Sequence, residues 1–213
     1  MTTKPPASFD HLGSQPLDYL DYFVEWGTPQ WQHLIDWSFT EFLGKDLTNL
    51  KVLDIGTRYG KMACLFALLG AKVTGVDIHL DYLQSARLEA QRLKVQDSTC
   101  FLQYDGYLSI FGSEMFDIVF TKSVLVLVNE LDAYLQDIRR ILKPEGKFVF
   151  VENGYGNVLL HKMRALRHRS WSYQDARYFT KREFYLVRQI FPSVMTRRVY
   201  VPPIWMMYGK KTA

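Results

Sequence analysis

The chain has only two cysteines, Cys64 and Cys100, in 213 residues. They lie far apart and fit neither a CxxC pair nor a zinc spacing, which excludes a disulfide scaffold and favours a reducing compartment. Cys64 falls in an apolar helical pattern and Cys100 at the start of a strand, so both are expected to be reduced and structural. Histidines, cysteines and acids nowhere gather at ligand spacing, so no metal site is expected. No apolar run approaches the roughly 20 residues that span a bilayer. The opening MTTKPPASFDHLGSQP has no apolar core of a secretion signal, and a cytoplasmic location is the expectation. Internal repeats and low-complexity tracts are missing as well. So is the dinucleotide fingerprint G-x-G-x-x-G: Arg58 and Lys61 stand where it would need glycine, which excludes nicotinamide binding of that type.

What is present is an ordinary globular composition, 48% apolar and 23% charged, with 15% aromatic residues. The length suits one domain with a sizeable core. Charge is unevenly spread. Residues 1–160 carry 14 Lys/Arg against 20 Asp/Glu, whereas residues 161–213 carry 12 against 2. A basic C-terminal part fits a solvated face, an acidic substrate, a membrane surface or nucleic acid.

The periodicity is that of an α/β protein. Residues 1–15 read as a tail, followed by two helices, PLDYLDYFVEW and PQWQHLIDWSFTEFLG, the second with Thr28 as cap and Pro29 in its first turn. LKVLDIG, AKVTGVD, TCFLQYD, FDIVFTK and GKFVFVEN then read as buried parallel strands. KMACLFALLG, LDYLQSARLEAQRLKV and ELDAYLQDIRRILK read as helices among them, with KPEG as a turn after the last. Residues 157–169 and 180–191 look helical, and MTRRVYV with PIWMMYGKK suggests a late hairpin. Alternating strands and helices demand right-handed crossovers and a doubly wound, mostly parallel sheet with helices on both faces. The expected division is an N-terminal tail and helical lid over 1–47, then a domain over 48–213 with a substrate-covering insertion at about 154–192.

In such a sheet the ligand lies beyond the carboxyl ends of the strands, at the switch point. Four features meet there. Asp54-Ile55-Gly56-Thr57-Arg58-Tyr59-Gly60 joins the first strand to its helix, and its glycines permit close backbone approach. The free N–H groups of the following helix start suit a carboxylate or phosphate. Asp77 ends the second strand, where a carboxylate can accept bonds from ribose hydroxyls. Asp105-Gly106 ends the third strand, offering an acceptor for an adenine amine and room for a ring. Thr121-Lys122-Ser123 follows the fourth strand and would border the ligand with its backbone.

Together, VLDIGTRYG, VTGVDIH, QYDG, FDIVFTKSVLVLVN and RRILKPEGKFVFVEN resemble the class I S-adenosylmethionine (SAM)-dependent methyltransferases in order and spacing, over roughly residues 50–153. The resemblance implies a seven-stranded sheet ending in an antiparallel hairpin, SAM as cofactor and S-adenosylhomocysteine (SAH) as product. It implies that Gly56, Thr57 and Gly60 hold the methionine part, that Asp54 meets its amino group, and that Asp77 binds the ribose. Ile78 would pack on adenine, Asp105 with Gly106 would meet its amine, and Thr121, Lys122 and Ser123 would line the cofactor. One departure stands out: the family usually has glycine where this chain has Arg58. That side chain could point to solvent, clamp a carboxylate with its planar fork, or fill the cofactor site.

The acceptor pocket is expected in the parts that match least, with candidates Tyr19, Tyr22, Trp26, Trp31, Asn153, Tyr155 and Tyr178. His33, His161 and His168 are the candidate bases, because histidine titrates near neutral pH. His33 sits between apolar helical positions, where packing is the competing role. The segment NVLLHKMRALRHRSWSY could lie on a membrane surface through 157–169 or close over an anionic acceptor. Three readings stay open: methylation of an O or N atom of a small molecule, methylation of nucleic acid or protein through the basic region, and SAM binding without catalysis. The first is the main expectation. TKSV stands after the fourth strand where amino-methylating enzymes carry Asn/Asp-Pro-Pro-aromatic, and no RNA-binding module is added.

Overall fold

The computed structural model describes residues 15–24, 28–155, 178–201 and 203–212. Trp26, His161, His168 and the basic segment 157–169 lie outside the described residues.

The N-terminal helices are shorter and more irregular than their periodicity suggests. A 3-10 turn over Pro16–Tyr19 runs into α1 (Leu20–Phe23), which ends where Val24 turns to ψ 81° and buries its side chain beside Phe23. Burying these two neighbours together prevails over helical phasing. α2 (Pro29–Trp37) starts with Pro29 as expected. Thr28 is extended in the cap position, yet it caps through its carbonyl, which accepts N–H bonds from Trp31 and Gln32, and not through its hydroxyl. The chain then widens into a π-helical stretch, Ser38–Leu43. Trp31, Leu34, Ile35 and Phe39 form the buried face.

The strands and helices that follow are β1 (Lys51–Ile55), α3 (Lys61–Leu68), β2 (Lys72–Asp77), α4 (Leu80–Arg92), β3 (Thr99–Gln103), β4 (Phe116–Lys122), α5 (Leu131–Ile141), β5 (Leu142–Asn153), α6 (Lys181–Ile190), β6 (Met195–Tyr200) and β7 (Pro203–Lys210). They build a seven-stranded sheet in the order β3-β2-β1-β4-β5-β7-β6. The first five strands pair in parallel, and β7 and β6 pair antiparallel. The order reverses between β1 and β4, which places the switch point at their carboxyl ends. α6 begins on a reciprocal cap, Thr180 with Glu183, that the sequence T-K-R-E spells out.

The expected KPEG turn is instead absorbed into β5. Leu142 already pairs with Phe116, and pairing resumes at Lys147 with Ile118, so residues 143–146 bulge opposite Asp117 alone. Glu145 takes φ 60° at the tip, and Lys143 closes the bulge through 2.8 Å bonds to Asp117. A turn motif inside a continuous ladder is what a β-bulge looks like in sequence.

The core has two layers. On one face Phe39, Phe66 and Phe120 pack with ring centroids 5.2 and 5.3 Å apart, joining the π-helical stretch to α3 and β4. On the other, Phe148 lies 4.3 Å from Phe191 among residues of α5 and α6. The N-terminal helices belong to the first layer. Lys147 on β5 donates to the carbonyls of Phe42 and Leu43, and Arg197 on β6 lies 4.1 Å over the Trp37 ring. Cys64 is buried in this layer, and Cys100 is exposed on the edge strand β3.

Phe66 joins both neighbouring rings and is fully buried. Phe66→Ala is expected to lower the unfolding free energy by about 3–5 kcal/mol, read by urea denaturation. A loss under about 1 kcal/mol would show that this layer does not hold the N-terminal helices.

Candidate functional site

Three chain segments converge at the switch point: the loop after β1, the end of β2 and the segment after β4. The loop after β1 needs positive φ. Gly56 stands at 71°, Arg58 at 49° and Gly60 at 75°. Space is as restricted as conformation. A methyl group at Gly56 would come within 2.3 Å of Val124, and one at Gly60 within 2.7 Å of Ala86. Glycine is therefore required at these two positions by packing as well as by backbone conformation.

Arg58 occupies the left-handed position that glycine would take without strain, at a cost of about 1 kcal/mol. Its guanidinium lies 5.2 Å from both the Tyr59 and the Tyr82 ring centroids. The two rings are 4.9 Å apart, and His79 stands 5.0 Å beyond Tyr82. The guanidinium thus lies on an aromatic ledge, a placement that none of the three expected roles anticipated.

Asp77 is 5% exposed at the tip of β2. One carboxylate oxygen accepts the Arg58 backbone N–H at 3.0 Å. The other accepts the His79 N–H at 3.0 Å and lies 3.2 Å from the His79 ring nitrogen. The carboxylate is thus held in one orientation, with lone pairs to spare. Beside it Ile78 is 53% exposed, an apolar side chain presented at the edge. Asp105 is exposed and accepts the Tyr107 N–H at 3.0 Å, and a methyl group at Gly106 (φ 94°) would meet nothing.

Asp54 is 3% exposed under the loop. Burial pushes its carboxyl up to about 7, against the nearby Thr57 hydroxyl and the Lys122 charge. Asp54 Oδ2 and Thr57 Oγ1 are enclosed and lack a hydrogen-bond partner among the described residues. The carboxylate oxygen suits a donor such as an ammonium group. The residues present therefore fit SAM: an unpartnered carboxylate oxygen under the loop, an oriented carboxylate for a diol, an apolar edge and an open glycine.

The segment after β4 is held from behind. Thr121 is fully buried, and its hydroxyl bonds Glu152 at 3.0 Å, so it borders the site by its backbone only. Lys122 lies 5.3 Å over the Trp31 ring, bringing α2 against the tip of β4. Ser123 takes φ 58° and accepts from Asn153 at 3.1 Å.

The remaining candidates divide. Tyr155 is exposed and Tyr178 half-buried, on either side of the Phe179 bonds that join 179 to Asn153 and Tyr155. Tyr19 is half-buried against the core. Tyr22 is engaged in docking α1: its hydroxyl contacts Glu89, Arg92 donates to it, and Lys61 lies 4.2 Å over its ring. Burial and Glu89 raise its pKa, so it stays a neutral phenol. His33 is exposed on α2, which corrects the packing expectation: the apolar stripe passes on either side of it. Glu152, Val124, Tyr104 and His79 were missed. Tyr104 lies 3.3 Å from the Tyr134 hydroxyl, and its N–H bonds the Asp77 carbonyl. Glu152 had a signal, a charge ending the unbroken apolar run FVFV.

Asp54 binds its proton more tightly folded than unfolded. Its neutral form thus adds stability that is full below its ordinary value of 3.8 and is lost as pH rises toward about 7. Asp54→Asn is expected to flatten the fall in unfolding free energy across that window, read by urea denaturation at both ends. An unchanged slope would mean that Asp54 is charged in the folded chain throughout.

Residues 53–150 match the family described as "Methyltransferase domain". A ubiquinone biosynthesis O-methyltransferase of Rhodopseudomonas palustris is 33% identical over 101 residues, covering 47% of this chain and 38% of its own. A sterol 4-C-methyltransferase of Caenorhabditis elegans is 30% identical over 101 residues, covering 47% and 30%. The chain spans less than half the length of the curated relatives it matches. Among solved structures, a SAM-dependent methyltransferase of Methanosarcina mazei superposes with a TM-score of 0.62 at 20% identity, over 77% of this chain and 93% of that one. The matched segment runs from β1 through the glycine loop and Asp77 into β5, and over it the chain is similar to SAM-dependent methyltransferases.

Proposed function

We propose that the chain transfers the methyl group of SAM to an O or N atom of a small-molecule acceptor. The observation that carries this reading is Asp77, nearly buried, with each oxygen oriented by a backbone N–H and one of them tied to the glycine loop. SAM supplies an activated methyl on a sulfonium with a good leaving group. The chain's own part is to align and to exclude water. Asp77 would accept from the ribose hydroxyls, Asp54 with Thr57 would receive the ammonium end, and Ile78 with Asp105 would bracket adenine. Trp31, Lys122, Asn153, Tyr155 and Tyr178 would border the acceptor. Tyr22 is left out, because its hydroxyl is committed to Glu89 and Arg92. His33 remains a candidate base only for an acceptor reaching the outer side of α2; an acceptor that is already an anion needs no base.

The names of the relatives support a small acceptor, since they include enzymes of ubiquinone and menaquinone biosynthesis and of sterols. One relative is a release factor glutamine methyltransferase, which keeps a protein acceptor as the second reading. Of the basic region, Arg197 and Arg198 are exposed on the edge strand with their guanidinium groups over Trp37 and Trp205.

Calorimetric titration with SAM and SAH tests the cofactor role. Asp77→Ala is expected to weaken both at least about tenfold, the loss of a charge-assisted bond pair. Wild type without affinity for either would end the assignment. Arg58→Gly is expected to change SAM affinity by less than about twofold, because the guanidinium rests on tyrosines. A tenfold loss would make it a carboxylate clamp after all.

A further inference from the structure

We propose that Glu152 is a positioning residue that sets the SAM cleft by gripping the segment after β4 from behind. The inference rests on the cleft being a SAM site, and it assigns a role to a residue on a strand that does not touch the glycine loop.

β5 buries Phe148, Val149, Phe150 and Val151 in sequence, and the next residue is a fully buried carboxylate. Its place in the alternation puts it on the face of Phe148 and Phe150, under the start of the segment that leads to α5. There it collects four hydrogen bonds. Oε1 accepts from the Thr121 hydroxyl at 3.0 Å, the Leu125 N–H at 3.1 Å and the Val124 N–H at 3.3 Å. Oε2 accepts from the Val126 N–H at 3.4 Å. Three successive backbone N–H groups on one anion are the free amides at the start of the 3-10 turn Leu125–Leu127, with Val124 as its cap residue. Ser123 at φ 58° bends the chain into that start. Asn153, next along β5, holds the Ser123 hydroxyl at 3.1 Å. Two consecutive residues at the end of β5 thus hold the whole bend.

The bend reaches the site through Val124. Its side chain occupies the space over Gly56, where an added methyl would approach to 2.3 Å. The contacts run from Glu152 to the amides of 124–126, from Val124 to Gly56, and so to the loop that Asp77 holds from the other side. The glycine loop and the post-β4 segment are the two walls of the cleft, and Glu152 sets their separation. An apolar side chain would fill its place with less desolvation cost, but three buried amides would then lack an acceptor.

The test compares wild type with Glu152→Gln, which keeps one acceptor oxygen, and Glu152→Leu, which keeps none. SAH affinity is measured by calorimetry, and amide hydrogen exchange is followed at Val124, Leu125 and Val126, with the β5–β7 ladder as internal control. The expected result is faster exchange at the three amides in the order wild type, Gln, Leu, with control amides unchanged. SAH affinity should fall in the same order, by several-fold for Gln and by about tenfold or more for Leu. Affinity within about twofold of wild type in both variants, whatever the exchange, overturns the proposal by making Glu152 merely structural. Unchanged exchange at the three amides overturns it too. If the Leu variant does not fold, the Gln variant decides alone. Failure of wild type to bind SAH overturns the reading of the cleft itself, an outcome distinct from wild-type binding that both variants retain.

Discussion

The carboxylate of Asp77 is the constraint on which the site depends. It ends β2, yet it accepts the backbone N–H of Arg58, which belongs to the loop after β1. That single bond keeps the loop in its left-handed path, and the His79 N–H keeps the carboxylate from rotating away. Gly56 and Thr57 both donate to the Val76 carbonyl, so the loop is laced to β2 along its length. A carboxylate oxygen is thus presented in one orientation by the backbone alone, which is preorganisation in the sense that matters for alignment.

Polar burial is concentrated at the same edge. Among the described residues, seven polar side chains are buried, and five of them are Asp54, Thr57, Asp77, Thr121 and Glu152. The rest of the interior is aromatic and aliphatic, packed in two layers on the sheet. Desolvation acts on two of these carboxyls in the same direction, pushing Asp54 and Glu152 up to about 7. Glu152 has its acceptors filled and Asp54 has not. The contrast leaves one carboxylate satisfied by the chain and the other with an oxygen free of any partner among the described residues. Positive φ at Gly56, Arg58, Gly60 and Ser123 turns the backbone at the same edge.

Local signals were clear where a residue acts on its own neighbours. The apolar strand runs, the closing Gly70, the late hairpin and the acid at the tip of β2 are all written in adjacent residues. They failed where a distant partner decides. KPEG is a turn in isolation, but pairing with β4 on both sides makes it a bulge within β5. Tyr22 looked available for an acceptor until α4 supplied Glu89 and Arg92 to take its hydroxyl. His33 lies within an apolar stripe in sequence and outside it in space, because the buried arc of α2 is narrower than its composition suggests.

By itself the sequence determined the alternation of elements, the parallel sheet they must form, and the glycines and carboxylates at the carboxyl edge of its strands. These follow from short-range rules: side-chain period, the steric limits on φ, and the geometry of right-handed crossovers. Only the tertiary structure decided that Glu152 faces the amides of 124–126, that Val124 closes on Gly56, and that Arg58 lies on Tyr59 and Tyr82. Each of these joins segments from different strands and helices. Such contacts depend on how the layers stack, which no local pattern in the chain encodes.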